Sequence, residues 1–173
     1  MAKQVRDKIV GYTVYKNGSQ FLGVATVELP SLEYLSESVK GAGIAGEVES
    51  PTIGQFGPMT CSLTWNTMDP AALELLAPEA HALDFRASQQ SYNTATGIYA
   101  TEGAKVTVRA FPKTGTLGSL EVGAAMEGST EFEVVYLKVS VGGKVMLEVD
   151  KFNYIFVVNG KDQLASVRAD LAL

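Results

Sequence analysis

The chain has 173 residues, enough for one buried core and few for two, and its 46% apolar and 19% charged content suits a packed domain. Nineteen acidic against fourteen basic residues give a formal charge of −5, the wrong sign for gripping phosphates, which sets tight nucleic-acid binding aside. The lone Cys61 excludes an intrachain disulfide, and neither a secretory apolar stretch nor a run near the ~20 residues of a membrane span is present, so a soluble chain folded in a reducing compartment is expected.

Seventeen Gly and six Pro fall between apolar runs, as turn residues do in a strand-rich chain. Residues 8–29 read as a hairpin, with KIVGYTVYK and QFLGVATVEL flanking Asn17-Gly18, a pair that accepts the positive φ of a tight turn. Residues 30–58 carry five Gly and three Pro and hold no sustained period; so long a stretch is expected to be an arm ordered by a neighbouring subunit. In 59–66, Met59, Cys61, Leu63 and Trp65 alternate with Thr60, Ser62, Thr64 and Asn66, the mark of a half-buried strand. Asp69-Pro70 supplies a cap and a first-turn proline for a short helix over 70–77. Residues 81–88 and 104–111 alternate again.

Strands over 130–141 and 144–150 are joined by Gly142-Gly143, and a further apolar run, FNYIFVV, ends at Asn159-Gly160. Asp162 is expected to cap a short C-terminal helix or tail over 162–171. These elements predict one mainly β domain over 1–173, an antiparallel barrel or sandwich with one or two short helices and a projecting arm at 30–58.

Candidate chemistry is thin. Residues 41–46, GAGIAG, match G-x-G-x-x-G, but GEVESPT follows where a dinucleotide site needs a helix. Lys113-Thr114-Gly115 matches a β-lactamase fragment without its companions and reads as a loop. The single histidine, His81, shares an apolar face with Leu83 and Phe85, and Cys61 shares one with Met59 and Trp65, so both read as packing residues. One Cys and one His cannot complete a zinc site, and neither a metal, nor another cofactor, nor a catalytic residue is expected. Glu131 with Glu133 and Glu148 with Asp150 each project from one side of a strand; such pairs serve glycosidases, but a solvated acidic face explains them more simply. Tyr12, Tyr15, Phe132, Tyr136, Phe152, Tyr154 and Phe156 lack interleaved Lys or Arg and read as core and interface rather than base-stacking residues.

Taken in order, three stretches resemble the major tail tube proteins of contractile-tailed phages and of the tailocins related to them. They are YKNGSQFLGVATVELPSLEY, KGAGIAGEVESPTIGQFGPMTCSLTW and YLKVSVGGKVMLEVDKFNYIFVVNGKDQLASVRADLAL, which span most of the chain in the same order and spacing. The resemblance implies a structural, non-enzymatic subunit that self-assembles into six-membered rings stacked as a hollow tube. Strands of neighbouring subunits would continue one large barrel around the channel, and the arm would reach the next ring. Lys40, Gly41, Ala42, Gly43, Ile44, Pro51 and Phe56 are the arm residues it singles out.

Partners implied are further copies of the chain, a sheath, a tape-measure protein and a baseplate, with DNA as unbound cargo and no membrane insertion of the subunit. The location implied is a virion or tailocin tail, assembled in the bacterial cytoplasm. Glu131, Glu133, Glu148 and Asp150 are expected to face the channel, where carboxylates repel phosphates. A monomeric small-ligand-binding β-barrel is the alternative, and a hydrolase using the acidic pairs a third; oligomeric state separates the first reading from the others.

Overall fold

The computed structural model describes residues 3–173, apart from the side chain of Ala25; Met1 and Ala2 of the expected 1–173 unit lie outside the described residues. Strands run β1 Gln4–Lys16, β2 Gln20–Leu22, β3 Val24–Glu28, β4 Tyr34–Val39, β5 Val48–Phe56 and β6 Thr60–Trp65. Helix α1 (Pro70–Glu74) precedes β7 His81–Asn93, β8 Tyr99–Thr116, β9 Gly128–Val141, β10 Lys144–Asp150, β11 Ile155–Val158 and β12 Lys161–Asp162, and α2 (Ala165–Asp170) closes the chain. The main sheet runs β12-β11-β10-β9-β8-β7-β1-β2, with β6 and then β3 branching from β9, while β4 and β5 form a separate pair.

The expected first hairpin turns where predicted, with Asn17 and Gly18 both at positive φ (53° and 76°), as a tight primed turn requires. Its return strand is split, however. Only Gln20–Leu22 pairs with β1; beyond Gly23, β3 leaves to pair with β6. Gly142-Gly143 and Asn159-Gly160 make the other two tight turns, again with positive φ throughout.

Strand β9 organises the two layers. Its first half, Gly128–Glu133, pairs with β6, and its second half, Tyr136–Val141, pairs with β10. Between them burial changes phase: Thr130, Phe132 and Val134 are buried, then Val135 and Leu137. Register against β8 shifts at the same place, so Val135 is the extra residue of a β-bulge that bends the strand. The bend lays β6 and β3 over the apolar face of β7, β8 and β1 in a sandwich-like stack, not a closed barrel. Met59, Cys61, Leu63 and Trp65 there meet Val14, Leu83, Phe85, Val108 and Leu137. The buried Trp65 indole donates to Thr130 Oγ1 at 3.1 Å, which satisfies both polar groups.

Helix α1 forms as its sequence dictates: Asp69 accepts from the Ala71 amide at 2.8 Å and Pro70 occupies the first turn. Leu76 just beyond it lies over Gly115, where a Cβ would fall 2.5 Å from a Leu76 methyl. Lys113-Thr114-Gly115 therefore belongs to β8 rather than to the expected loop, and its glycine admits the helix. Asp162 is not the N-cap of α2, whose cap position is Leu164; it accepts from the Leu164 amide at 3.0 Å and pairs with Arg168. That pairing draws the Asp162 carboxyl below its usual range and raises the Arg168 guanidinium.

The segment with no visible period, 30–58, contains two strands. Every residue of β4 is exposed, so no alternation of burial shaped its sequence. A two-stranded ribbon is marginal alone, and this one is fixed at its base. Tyr34, Phe56 and Phe156 pack with ring centroids 4.7, 5.0 and 6.2 Å apart. The Gly57 amide donates to Glu33 O at 2.9 Å, and Lys151 Nζ donates to Gly57 O at 2.8 Å. Opposite them Gly54, at φ +66°, lies so close to buried Leu164 that a Cβ would come within 2.7 Å of its methyls.

On the far side of the main sheet, Asp84 receives the Thr107 hydroxyl at 2.7 Å and Lys105 Nζ at 3.0 Å, with Arg86 at 3.8 Å. Burial works to raise this carboxyl, but these three partners outweigh it and hold it below the usual carboxylate range.

Two outcomes follow from this packing. Gly54→Ala should cost about 1–2 kcal/mol through left-handed strain, plus the displacement of Leu164. In urea denaturation the loss should shrink in a Leu164→Ala background; equal losses in both would show that the two side chains do not meet. Asp84→Asn should lower stability at neutral pH by about 1.5–3 kcal/mol, the range for hydrogen bonds to a charged group. Because the folded carboxyl titrates lower than the unfolded one, this difference should be complete above pH ~3.9 and close as pH falls further. A difference independent of pH would assign it to shape instead.

Candidate assembly surfaces

Three surfaces remain once the core is accounted for. The first is the β4–β5 ribbon. Its register places Val39 opposite Val48, Ser38 opposite Glu49, Glu37 opposite Ser50 and Ser36 opposite Pro51. Lys40, Gly41, Ala42, Gly43 and Ile44 form the tip, where the Ile44 amide donates to Gly41 O at 3.1 Å and Gly43 and Gly46 take φ of +91° and +113°. GAGIAG is thus a hairpin tip with no helix after it. Leu35, Val39, Ile44, Val48 and Ile53 are all exposed large apolar side chains on this ribbon. Pro51 lies on β5, and Phe56 is buried in the aromatic base rather than presented with the tip.

The second surface is the free edge of β1. Among the described residues, β1 pairs with β7 along its whole length but with β2 only from Val14 to Lys16. Its other edge, from Gln4 to Gly11, therefore offers backbone donors and acceptors to solvent, while β2, β3 and β12 keep the remaining edges of this sheet to three, five and two residues.

Beside that edge the sandwich is open. The apolar face of β1, β7, β8 and β9 continues past the cover supplied by β3, leaving a cleft of about 520 Å³. Ile9, Tyr12, Val27, Leu29, Val106 and Val139 are among its walls. The sequence showed these residues only as strand alternation; a pattern records which face is apolar, not how far the opposing layer reaches.

The third surface carries the four carboxylates, which stand away from the core but are each already engaged. Glu131 pairs with Lys113 at 3.0 Å, and Glu133 pairs with Lys151 at 3.2 Å while accepting the Met59 amide at 3.2 Å. Glu148 accepts from the Tyr136 hydroxyl at 2.8 Å; burial, then this carboxylate, push the phenol up to about 12. Asp150 caps the following turn through the Phe152 and Asn153 amides at 3.0 and 3.1 Å. Lys138 sits directly opposite Glu148, and Arg109 lies over the Tyr136 ring, so this face is mixed in charge rather than uniformly acidic.

The residues weighed for chemistry sit in packing positions. His81 is buried with Nε2 3.2 Å from Ala77 O. Cys61 is fully buried, and that burial pushes its thiol up to about 12, far from a reactive thiolate.

The tail tube protein of Escherichia phage P2 is 29% identical to this chain over 167 residues, covering 92% of it and 94% of the phage protein. A chain of the PVC sheath/tube terminator from an extracellular contractile injection system shares the fold. It aligns with a TM-score of 0.54 at 12% identity, over 78% of this chain and 96% of that one. The family model described as phage tail tube protein FII matches residues 6–171, nearly the whole β sandwich with its arm, open edge and cleft, and the chain belongs to that family as a structural subunit of a tail tube.

Proposed function

We propose that copies of this chain close into six-membered rings and that the rings stack into the inner tube of a contractile tail or tailocin. The observation that carries this reading is the family match over residues 6–171 on a fold in which, among the described residues, no second strand lies beside β1 from Gln4 to Gly11. A strand of the neighbouring copy added there would continue the sheet around a channel, and ring closure would remove the edge as an aggregation hazard. The β4–β5 ribbon, with Lys40–Ile44 at its tip and Pro51 on its flank, reaches the adjacent ring.

The tube lies inside a sheath, is measured by a tape-measure protein and ends on a baseplate. It is built in the bacterial cytoplasm, and it conducts DNA or punctures a membrane without catalysing a reaction. Glu131, Glu133, Glu148 and Asp150 face the lumen. Because Glu133 and Asp150 also hold backbone amides, Glu131 and Glu148, engaged only by side chains, are the two most available to repel passing phosphates.

The competing reading, a monomeric ligand-binding sandwich, is favoured by the cleft alone.

Negative-stain microscopy with light scattering across a concentration series should reveal hollow rings or tubes growing with concentration. A strictly monomeric chain under every condition would sink the tube and leave the ligand-binding sandwich. Glu131→Gln with Glu148→Gln should leave tubes intact and increase retention of DNA fragments by purified tubes at low salt. Retention equal to the parent would remove these carboxylates from the lumen.

A further inference from the structure

The cleft and the arm are complementary, and neither is satisfied within one chain. The cleft is walled mainly by aliphatic and aromatic side chains, with Thr26, Arg86 and Gln89 among them and Ile9, Tyr12 and Leu29 exposed at its rim. A cleft of about 520 Å³ with mostly apolar walls has room for several side chains of a partner. The ribbon exposes Leu35, Val39, Val48 and Ile53, side chains of the kind that would fill it.

Charge points the same way. The ribbon and its approach, residues 31–50, hold Glu33, Glu37, Glu47 and Glu49 against Lys40 alone. Beside the cleft, β1 and the residue before it present Lys3, Arg6 and Lys8 against Asp7 and Glu102, which pair with Lys8 and Arg6, so the excess there is a single positive charge. Opposed patches of this kind steer association and fix orientation.

The ribbon does not fill the cleft of its own chain. The Tyr34–Phe56–Phe156 cluster and the two hydrogen bonds at Gly57 hold its base, so swinging inward would break this packing. We infer that the β4–β5 ribbon of one copy lies in the cleft between β3 and the main sheet of a second copy, with its carboxylates toward the basic start of β1. The inference rests on the tube reading, and gives the arm a specific receptor: the apolar face that the β3 layer leaves uncovered. Docking there would bury aliphatic side chains of the ribbon and the rim of the cleft together, so neither surface stays exposed except at a tube end.

The test is disulfide trapping between two cysteine variants, Val48→Cys on the ribbon and Leu29→Cys on the cleft rim, mixed under mild oxidation. Leu120→Cys, on an exposed loop outside both surfaces, replaces Leu29→Cys in the control. The native Cys61 is fully buried and stays out of the exchange. Mixed dimers should form at least tenfold faster with Leu29→Cys than with Leu120→Cys, and equal rates would overturn the inference.

A second measurement separates this failure from that of the tube. Ile9→Asp with Leu29→Asp should keep the circular dichroism and thermal transition of the parent but lose stacked tubes. Tubes of parental length from the double variant would overturn the cleft assignment and leave the tube standing. Absence of both tubes and mixed dimers in the parent background would remove both. Stoichiometric retention of a long-chain fatty acid by assembled tubes would likewise overturn the inference, since the cleft would then hold a ligand.

Discussion

The bulge at Val135 is the constraint on which the architecture rests. A strand in a regular sheet has two neighbours; β9 has three, because bending at Val134–Val135 frees one edge to pair first with β6 and then with β10. Two hydrogen bonds fasten the corner, Val134 N to Met59 O at 2.7 Å and Lys151 N to Val135 O at 3.1 Å. The strand entering the second layer and the turn leading toward the C-terminus are thereby tied to adjacent residues. The same corner sets where the cover over the apolar face begins, and so how much of that face stays open.

Electrostatics follow from this geometry rather than directing it. The outward side of the main sheet interleaves cations and anions: Asp84 sits among Lys105 and Arg86, and Lys138 faces Glu148. Most such pairs are partly exposed and contribute little each. The exception is Asp84, nearly buried and receiving a hydroxyl as well as two cations. Net charge is a property of the whole chain, and the −5 read from the sequence does not translate into an acidic patch on this side of the sheet.

What could be read in the sequence was what depends on neighbours in the chain. Asn17-Gly18, Gly142-Gly143 and Asn159-Gly160 specify their turns through positive φ, and the buried row Met59, Cys61, Leu63 and Trp65 appears as plain alternation. Asp69-Pro70 marked its helix for the same reason. The ribbon strands were not legible, because neither face of β4 is buried in the chain that encodes it and a two-period pattern arises only from burial on one side. The split of the second strand at Gly23 depends on where β6 lies, which no local signal records. The alternation that sets the four carboxylates off the core was visible in the strands, but their engagement with Lys113, Lys151, the Tyr136 hydroxyl and the turn at Asn153 depends on residues brought close by folding.

The pairing of β1 with β7 gives the chain a timetable. Gln4 lies opposite Asn93 and Lys16 opposite Leu83, so the first strand leaves the ribosome some 70 residues before any of its main partner. Strands β7 to β10 each meet the next across a nearby turn, whereas β1 must close a long loop, which is slow. Topology thus favours β1 as a late arrival on a meander already formed. The edge it then presents is completed only when the subunit is, so a half-made chain has no finished strand to offer a growing polymer.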